Sequence, residues 1–290
     1  MIQPVEAAPL AEAEGAQAAE AAFTHDAMAI PEQSLARMRR EIFHPEGPGY
    51  TFLRGFADGD QVRHMVELWR AMAEAPATSH SRFVGKGAIR NGCPNFYRQD
   101  ENGNVSFMNF VWRKPDDELT FSMAFTAQMI RARLQGRPVF HELYPHTNRC
   151  MSYRMVLTRR GDTIVPQHTD WLEKNWDPAR IQATLFLTRW GQDYEGEGFV
   201  FTNNQGQEVA FGRDVAFEPG DLVFWRYNNR HGVQNVRSVE GRPGFIRIIM
   251  PPEELVKSAG GKERIKMAVR KVPGAERVLR KVLQRARGLS

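Results

Sequence analysis

The stretch Thr163-Ile164-Val165-Pro166-Gln167-His168-Thr169-Asp170-Trp171 closes a β-branched run with a histidine and an aspartate two positions apart. In an extended chain, residues i and i+2 project to the same side, so this imidazole and carboxylate enter one cavity. Two neutral imidazoles and one carboxylate on one face of an octahedron make a mononuclear non-haem Fe(II) centre, with the opposite face open to substrate and dioxygen. Eight histidines occur in the chain, so an isolated His-x-Asp also arises by chance, and its weight depends on its surroundings. The second imidazole is His231, 61 residues beyond Asp170, just past the apolar strand Leu222-Val223-Phe224-Trp225. Eleven residues further on, Arg242 stands at the entry to Phe245-Ile246-Arg247-Ile248-Ile249-Met250, where a guanidinium could hold a carboxylate through two parallel hydrogen bonds. Alternation places Arg242, Gly244, Ile246 and Ile248 on one face and Arg247 on the other. Only one arginine then looks inward; Arg242 is preferred and Arg247 is the alternative.

Positioning these groups requires strands, and the sequence supplies them. From Arg149 onward, short alternating runs recur with turn residues between them: 151–158, 181–188, 199–202, 209–211, 222–227, 233–236 and 245–250. That density points to a sandwich or barrel. Upstream, Tyr50 to Arg54 reads as a strand, and Asp58 to Ala75 as a helix with Val62, Met65, Val66 and Trp69 on one face and Asp58 or Asp60 as cap. Leu119 to Leu134 reads as a second helix ending near Gly136, and Pro31 to Arg40 as a short one broken by the Pro/Gly cluster at 44–49. Residues 1–48 are expected to be disordered or loosely helical, 49–252 to form the domain with its core at 150–252, and 253–290 to form basic amphipathic helices.

Other motifs fail on inspection. Gly85-Lys86-Gly87 lacks the spacing and the strand-to-helix setting of a phosphate loop. In His141-Glu142-Leu143-Tyr144-Pro145-His146 the histidines are five apart instead of four, and Pro145 interrupts any helix. Residues 76 to 118 are polar and irregular, with aromatics interspersed among Arg82, Lys86, Arg90, Arg98 and Arg113, as in a lid or binding loop; the plainer reading makes the aromatics core and the arginines solvated.

Over roughly residues 150 to 252 the chain resembles the Fe(II)/2-oxoglutarate-dependent dioxygenases, in the prolyl-hydroxylase-like and phytanoyl-hydroxylase-like part of that superfamily. The resemblance lies in the order Gly161-Asp162, His168-x-Asp170, the strand Gln182 to Thr188, the turn Tyr194-Glu195-Gly196-Glu197-Gly198-Phe199, Pro219-Gly220-Asp221-Leu222-Val223-Phe224, His231-x-Val233-x-x-Val236 and Gly241-Arg242. It departs from the family in the placing of the two turn glycines and, by about one residue, of the arginine. It implies an α+β, mainly β fold, a double-stranded β-helix of jelly-roll or cupin type with buttressing helices and a C-terminal helical tail. It also implies His168, Asp170 and His231 on Fe(II), and Arg242, or else Arg247, on the distal carboxylate of 2-oxoglutarate. Gln182, Thr184, Tyr153 and Arg154 are further candidates for holding the cosubstrate. The activity implied is hydroxylation of an unactivated C–H bond by O2, with 2-oxoglutarate decarboxylated to succinate. Family halogenases replace the carboxylate ligand with a small residue, whereas this chain keeps Asp170.

Trp171 and Asn175 follow the ligand pair, and with Arg82, Lys86 and Arg98 they are the substrate candidates. They suit a small polar metabolite, such as a sugar-containing intermediate or an amino-acid derivative; a protein side chain or a lipid-linked glycan is the second choice. A non-catalytic sugar-binding jelly roll and a metal-independent isomerase are the rival classes. The net charge of +5 is local: from Lys257 onward eleven Lys or Arg stand against Glu263 and Glu276, so the rest of the chain is mildly acidic and the charge alone is no argument for nucleic acid. Apolar residues at helical spacing among those basic residues would meet a membrane surface, a partner subunit or the barrel itself. Two cysteines, no apolar run of membrane-spanning length and no secretory pattern at the start lead to the expectation of a cytoplasmic protein, with peripheral attachment to the inner membrane face as the variant.

Overall fold

The computed structural model describes residues 27–76, 80–82, 94–139, 149–169, 179–251 and 253–254. The expected tail before residue 27 and the expected basic helices beyond residue 254 lie outside the described residues. The described helices are α1 (Glu32–Phe43), α2 (Gly59–Glu74) and α3 (Glu118–Leu134). The strands up to the first histidine are β1 (Tyr50–Leu53), β2 (Ser81–Arg82), β3 (Phe96–Gln99), β4 (Val105–Phe110), β5 (Arg149–Cys150), β6 (Ser152–Thr158) and β7 (Arg160–His168). Then come β8 (Ile181–Phe186), β9 (Tyr194–Glu195), β10 (Gly198–Thr202), β11 (Glu208–Ala210), β12 (Leu222–Arg226), β13 (His231–Ser238), β14 (Phe245–Met250) and β15 (Glu253–Glu254). None of the described helices is long and apolar enough to cross a membrane.

Two sheets face each other. The larger runs β1-β12-β8-β14-β6-β4-β3-β2, and the smaller runs β11-β10-β13-β7 with β9 beside β13. Alternation along each strand of the large sheet divides its side chains between two cores. Ile181, Ala183, Leu185, Leu222, Phe224, Ile246 and Ile248 pack outward against the helices. Phe186, Val223, Trp225 and Phe245 point inward, where they meet Phe199, Phe201, Val233 and Val236 from the small sheet. This is the mainly β double-stranded β-helix with buttressing helices.

Local chemistry explains the helices. Asp58 forms a reciprocal capping box with Gln61 at the start of α2. Asp117 accepts from the Thr120 amide at 2.8 Å and so caps α3; the Thr120 hydroxyl in turn accepts from the Trp69 indole at 3.1 Å, tying the cap of one helix to the buried face of the other. Arg131, buried in α3, donates to the Met250 carbonyl and to Gln128, which anchors this helix to the end of β14.

Two expectations change. The segment expected to lie loose before residue 49 contains α1, whose Leu35, Met38 and Ile42 are fully buried in the helix-side core. Arg39 caps α3 from this helix by donating to the Arg133 and Leu134 carbonyls at 2.8 and 3.2 Å. The segment expected to be irregular from 76 to 118 supplies, in its described parts, strands β2 to β4, which widen the large sheet. Its aromatics divide as the faces dictate: Phe107 and Tyr97 toward the helices, Phe96, Phe110 and Trp112 in a separate cluster with Met108.

Met38→Ala is therefore expected to cost about 2–5 kcal/mol in denaturant unfolding, the usual range for emptying a filled core position, and no change would return α1 to a loose tail. Burial opposes ionisation of Asp117, but hydrogen bonds from Thr120 and His64 outweigh it and hold the carboxyl below its usual value. A lowered folded-state value contributes stability above the unfolded carboxylate range, and that stability is lost as pH falls through the folded value. Asp117→Asn should cost about 1 kcal/mol at neutral pH, with the deficit shrinking below roughly pH 4.

Candidate functional site

The last residue of β7 and the first of β13 are paired directly: His168 lies opposite His231 in the antiparallel ladder. Their rings are 4.6 Å apart between centroids and inclined at 51°. The ladder is irregular immediately beyond this pair, with a register shift between His231 and Val233. Bulges of this kind re-aim side chains beside functional sites. Gly232 permits the close approach, since a Cβ there would lie 2.7 Å from the Val165 carbonyl oxygen and 3.1 Å from the Gln167 amide. Pro166 fits in β7 because that strand is the sheet edge and needs no further amide donor.

Both rings are oriented in the same way. Nδ1 of His168 lies 2.8 Å from the Pro166 carbonyl, and Nδ1 of His231 lies 3.0 Å from the Asn229 carbonyl. A carbonyl only accepts, so each Nδ1 carries a proton and Nε2 is the nitrogen through which each ring would meet a metal, the arrangement typical of metal-binding histidines. The Asn229 backbone is itself held in place: its side-chain amide donates to the Thr202 carbonyl and to Asn204 Oδ1, both at 3.0 Å. Asn204 reaches on to the Ile42 and His44 carbonyls at 3.0 and 2.9 Å. The buried His231 ring packs against Trp225 at 4.4 Å and Phe199 at 6.2 Å, so one side of the pair is walled by aromatics. Asp170, the expected third ligand, lies outside the described residues, as do Trp171, Asn175 and Lys86. Among the described residues no cluster of three His, Cys, Asp or Glu reaches metal-binding proximity.

The inner face of the large sheet carries the other polar groups. Gln182 and Thr184 of β8 point inward, the Thr184 hydroxyl accepting from the Trp225 indole at 3.3 Å and Gln182 Oε1 having no hydrogen-bond partner among the described residues. Arg247, in the middle of β14, is only 3% exposed. Its guanidinium lies 4.9 Å from the Phe245 ring centre and 6.0 Å from that of Phe199, the same ring that packs on His231. Its Nε has no hydrogen-bond partner among the described residues, and neither does the buried Tyr194 hydroxyl. Burial lowers the Arg247 guanidinium to about 10, with Tyr194 opposing, and burial raises the Tyr194 phenol. A charged guanidinium at this depth is costly unless an anion meets it. The residues therefore suit an iron ion at the imidazoles and a dicarboxylate reaching from there to Arg247.

This placement corrects the preferred arginine. Arg242 is exposed in the turn before β14, at the opposite end of the barrel from the histidines. Strand alternation does not extend to it, because Pro243 and Gly244, the latter at φ +91°, interrupt the extended chain. Tyr153 is also corrected: it belongs to the helix-side core, 6.4 Å from the Phe121 ring, and faces away from the barrel interior. Arg82 is exposed on the edge strand opposite Tyr97, whose ring packs on the helix side. Arg98 shares its face with Phe96 and lies near Arg154; burial and this neighbouring charge lower its guanidinium. Tyr194, Phe199, Trp225 and Asn229 do not stand out as site residues in the sequence. Only the Asn-x-His spacing of residues 229 to 231 is a usable local signal.

Residues 141–249 match the family model described as 2OG-Fe(II) oxygenase superfamily. No curated protein matches the sequence closely enough to count as a relative. Among solved structures the chain is similar to a prolyl-4-hydroxylase of Pseudomonas putida, at 15% identity and a TM-score of 0.45, spanning 76% of this chain and 99% of that one. It is also similar to SnoN, the non-haem α-ketoglutarate-dependent epimerase from nogalamycin biosynthesis, at 13% identity and a TM-score of 0.46, spanning 76% and 82%. A third is AviO1 from Streptomyces viridochromogenes, at 14% identity and a TM-score of 0.44, spanning 77% and 97%. Residues 141–249 are thus similar to the 2OG-Fe(II) oxygenase superfamily, and the enzyme class that goes with this match is an oxygenase using Fe(II), 2-oxoglutarate and O2.

Proposed function

We propose that the protein hydroxylates an unactivated C–H bond of a small polar metabolite in the cytoplasm, with His168, Asp170 and His231 as the iron ligands. The observation that carries this reading is the cross-strand pair His168 and His231, each with Nδ1 held by a backbone carbonyl. When bound, iron with 2-oxoglutarate and O2 supplies the oxidising power: one oxygen atom goes into the substrate and the other into succinate, with CO2 released.

The chain's own residues bind, orient and exclude water. Arg247 holds the distal carboxylate of 2-oxoglutarate through charge-assisted hydrogen bonds. Gln182 and the Tyr194 hydroxyl, both buried and facing the same interior, are the neighbouring groups that would complete the hydrogen bonding. Thr184 positions the Trp225 indole, and Trp225 and Phe199 keep bulk water from the inner side of His231. The substrate enters from the side of His168, the exposed member of the pair. Arg98, on β3 of the large sheet, is suited to an anionic or hydroxyl-rich substrate group.

Anaerobic addition of Fe(II) and 2-oxoglutarate to the purified full chain should give the weak visible charge-transfer band of the keto-acid chelate, and a silent spectrum would remove this reading. Replacing His168, Asp170 or His231 with Ala should abolish the band and reduce succinate release more than about a hundredfold, beyond the usual cost of losing a group outside the ligand set. Arg247→Met should raise the KM for 2-oxoglutarate by roughly a hundredfold, since loss of one partner in a buried charge pair costs about 2–5 kcal/mol. A KM within about twofold of wild type, the range expected of a surface substitution, would place the carboxylate elsewhere.

A further inference from the structure

A second charged feature lies at the other end of the ladder that holds the histidines. Six residues along β13 from His231, roughly 20 Å in an extended strand, Arg237 lies directly opposite Arg160 of β7 on one side and Glu195 of β9 on the other. Like charges in a direct cross-strand pair repel. Arg159 is adjacent in sequence, and Arg70 from α2 and Arg242 from the turn before β14 are the other arginines that line a cleft of about 1030 Å³. Among the described residues none of these five guanidiniums has an ion-pair or hydrogen-bond partner. Glu74, Asp162 and Glu240 also line the cleft, and none of them pairs with an arginine.

The arginines are presented by a rigid corner. The buried Asn104 accepts from the Arg159 and Arg160 amides at 2.6 and 3.1 Å and donates to the Arg160 carbonyl at 2.9 Å. Its amide also donates to Asp100 at 2.8 Å, and the Ser238 amide donates to the Arg159 carbonyl at 2.7 Å. The backbone that carries three of the five charges is thus held by side-chain hydrogen bonds and by the sheet. A surface merely needing solubility has no use for an opposed arginine pair on a fixed corner, whereas an anion bridging the pair turns the repulsion into binding.

We propose that this cleft binds a compact anion with two or more linked phosphates, at a site separate from the histidine pair. Guanidinium groups match phosphate oxygens in two-pronged geometry, and several convergent ones favour a multivalent anion over a single carboxylate. The three carboxylates along the cleft work against a long polyanion laid across the whole surface, and the cleft has the volume of a small-molecule site. The proposal does not rest on the oxygenase reading, because binding is measured without iron, cosubstrate or turnover.

The test is calorimetric titration of the full chain with inorganic tripolyphosphate and with inorganic phosphate at matched ionic strength. Saturable binding at least tenfold tighter for tripolyphosphate is expected. Arg160→Glu combined with Arg237→Glu should weaken it at least tenfold, and Arg160→Lys with Arg237→Lys should fall between, keeping charge but losing the two-pronged geometry. If the double reversal does not fold, Arg70→Glu on the exposed face of α2 serves, with a loss of severalfold expected. A nucleoside triphosphate binding as tightly as tripolyphosphate would locate recognition in the phosphates, and tighter binding would add the nucleoside. Equal affinity for phosphate and tripolyphosphate, affinity unchanged in the charge-reversed chain, or binding of duplex DNA without binding of tripolyphosphate would overturn the proposal.

Discussion

The register between β7 and β13 is the constraint on which the rest of the site depends. A one-residue slip in a β ladder moves a side chain to the opposite face. Here it would separate His168 from His231 and turn one imidazole outward. Several features fix the pairing. Val165 and Val233 pack into the inner core beside each other. The bulge around Gly232 absorbs an irregularity that would otherwise propagate along the ladder. The carbonyls of Pro166 and Asn229 then fix the ring orientations. Two histidines far apart in sequence become close neighbours because the strands, rather than a loop, carry them.

The two cores divide the labour. The outer face of the large sheet obtains its burial from helices and is ordinary apolar packing, whereas the inner face mixes aromatics with groups whose hydrogen bonding the fold leaves incomplete. Arg247 is the extreme case. A guanidinium sealed among Phe245, Phe199 and Tyr194 lowers stability in the isolated chain, which is the expected signature of a group retained for binding rather than for folding.

How much can be read beforehand follows from how local each signal is. His168-x-Asp170 and the Asn-x-His at 229 to 231 are short motifs on strands with clear alternation, and their context is legible. The strand Phe245 to Met250 is legible as well, but carrying its alternation back through Pro243 and Gly244, which end it, shifts the inward arginine from residue 247 to residue 242. Tyr153 is misplaced because β6 has apolar residues on both faces, with Met155 and Leu157 on the helix side and Val156 between them, so its alternation does not reveal which face meets the helices. β2 to β4 are hidden because their faces mix aromatics with charge, and such edge strands are defined by their neighbours more than by their own periodicity. α1 is placed nearly correctly but assigned to a tail, since burial of Leu35, Met38 and Ile42 depends on surfaces formed far later in the chain.

The amide chain from Asn229 through Asn204 to the Ile42 and His44 carbonyls has a consequence for how the domain is to be delimited. It physically joins the end of the first helix to the backbone that aims His231. An expression boundary drawn at residue 49, where the jelly roll itself begins, would keep all the strands and still remove the far support of that histidine. The smallest unit that keeps His231 aimed is therefore larger than the minimal β fold, and the segment that looks most dispensable in the sequence sets part of the geometry of the histidine pair.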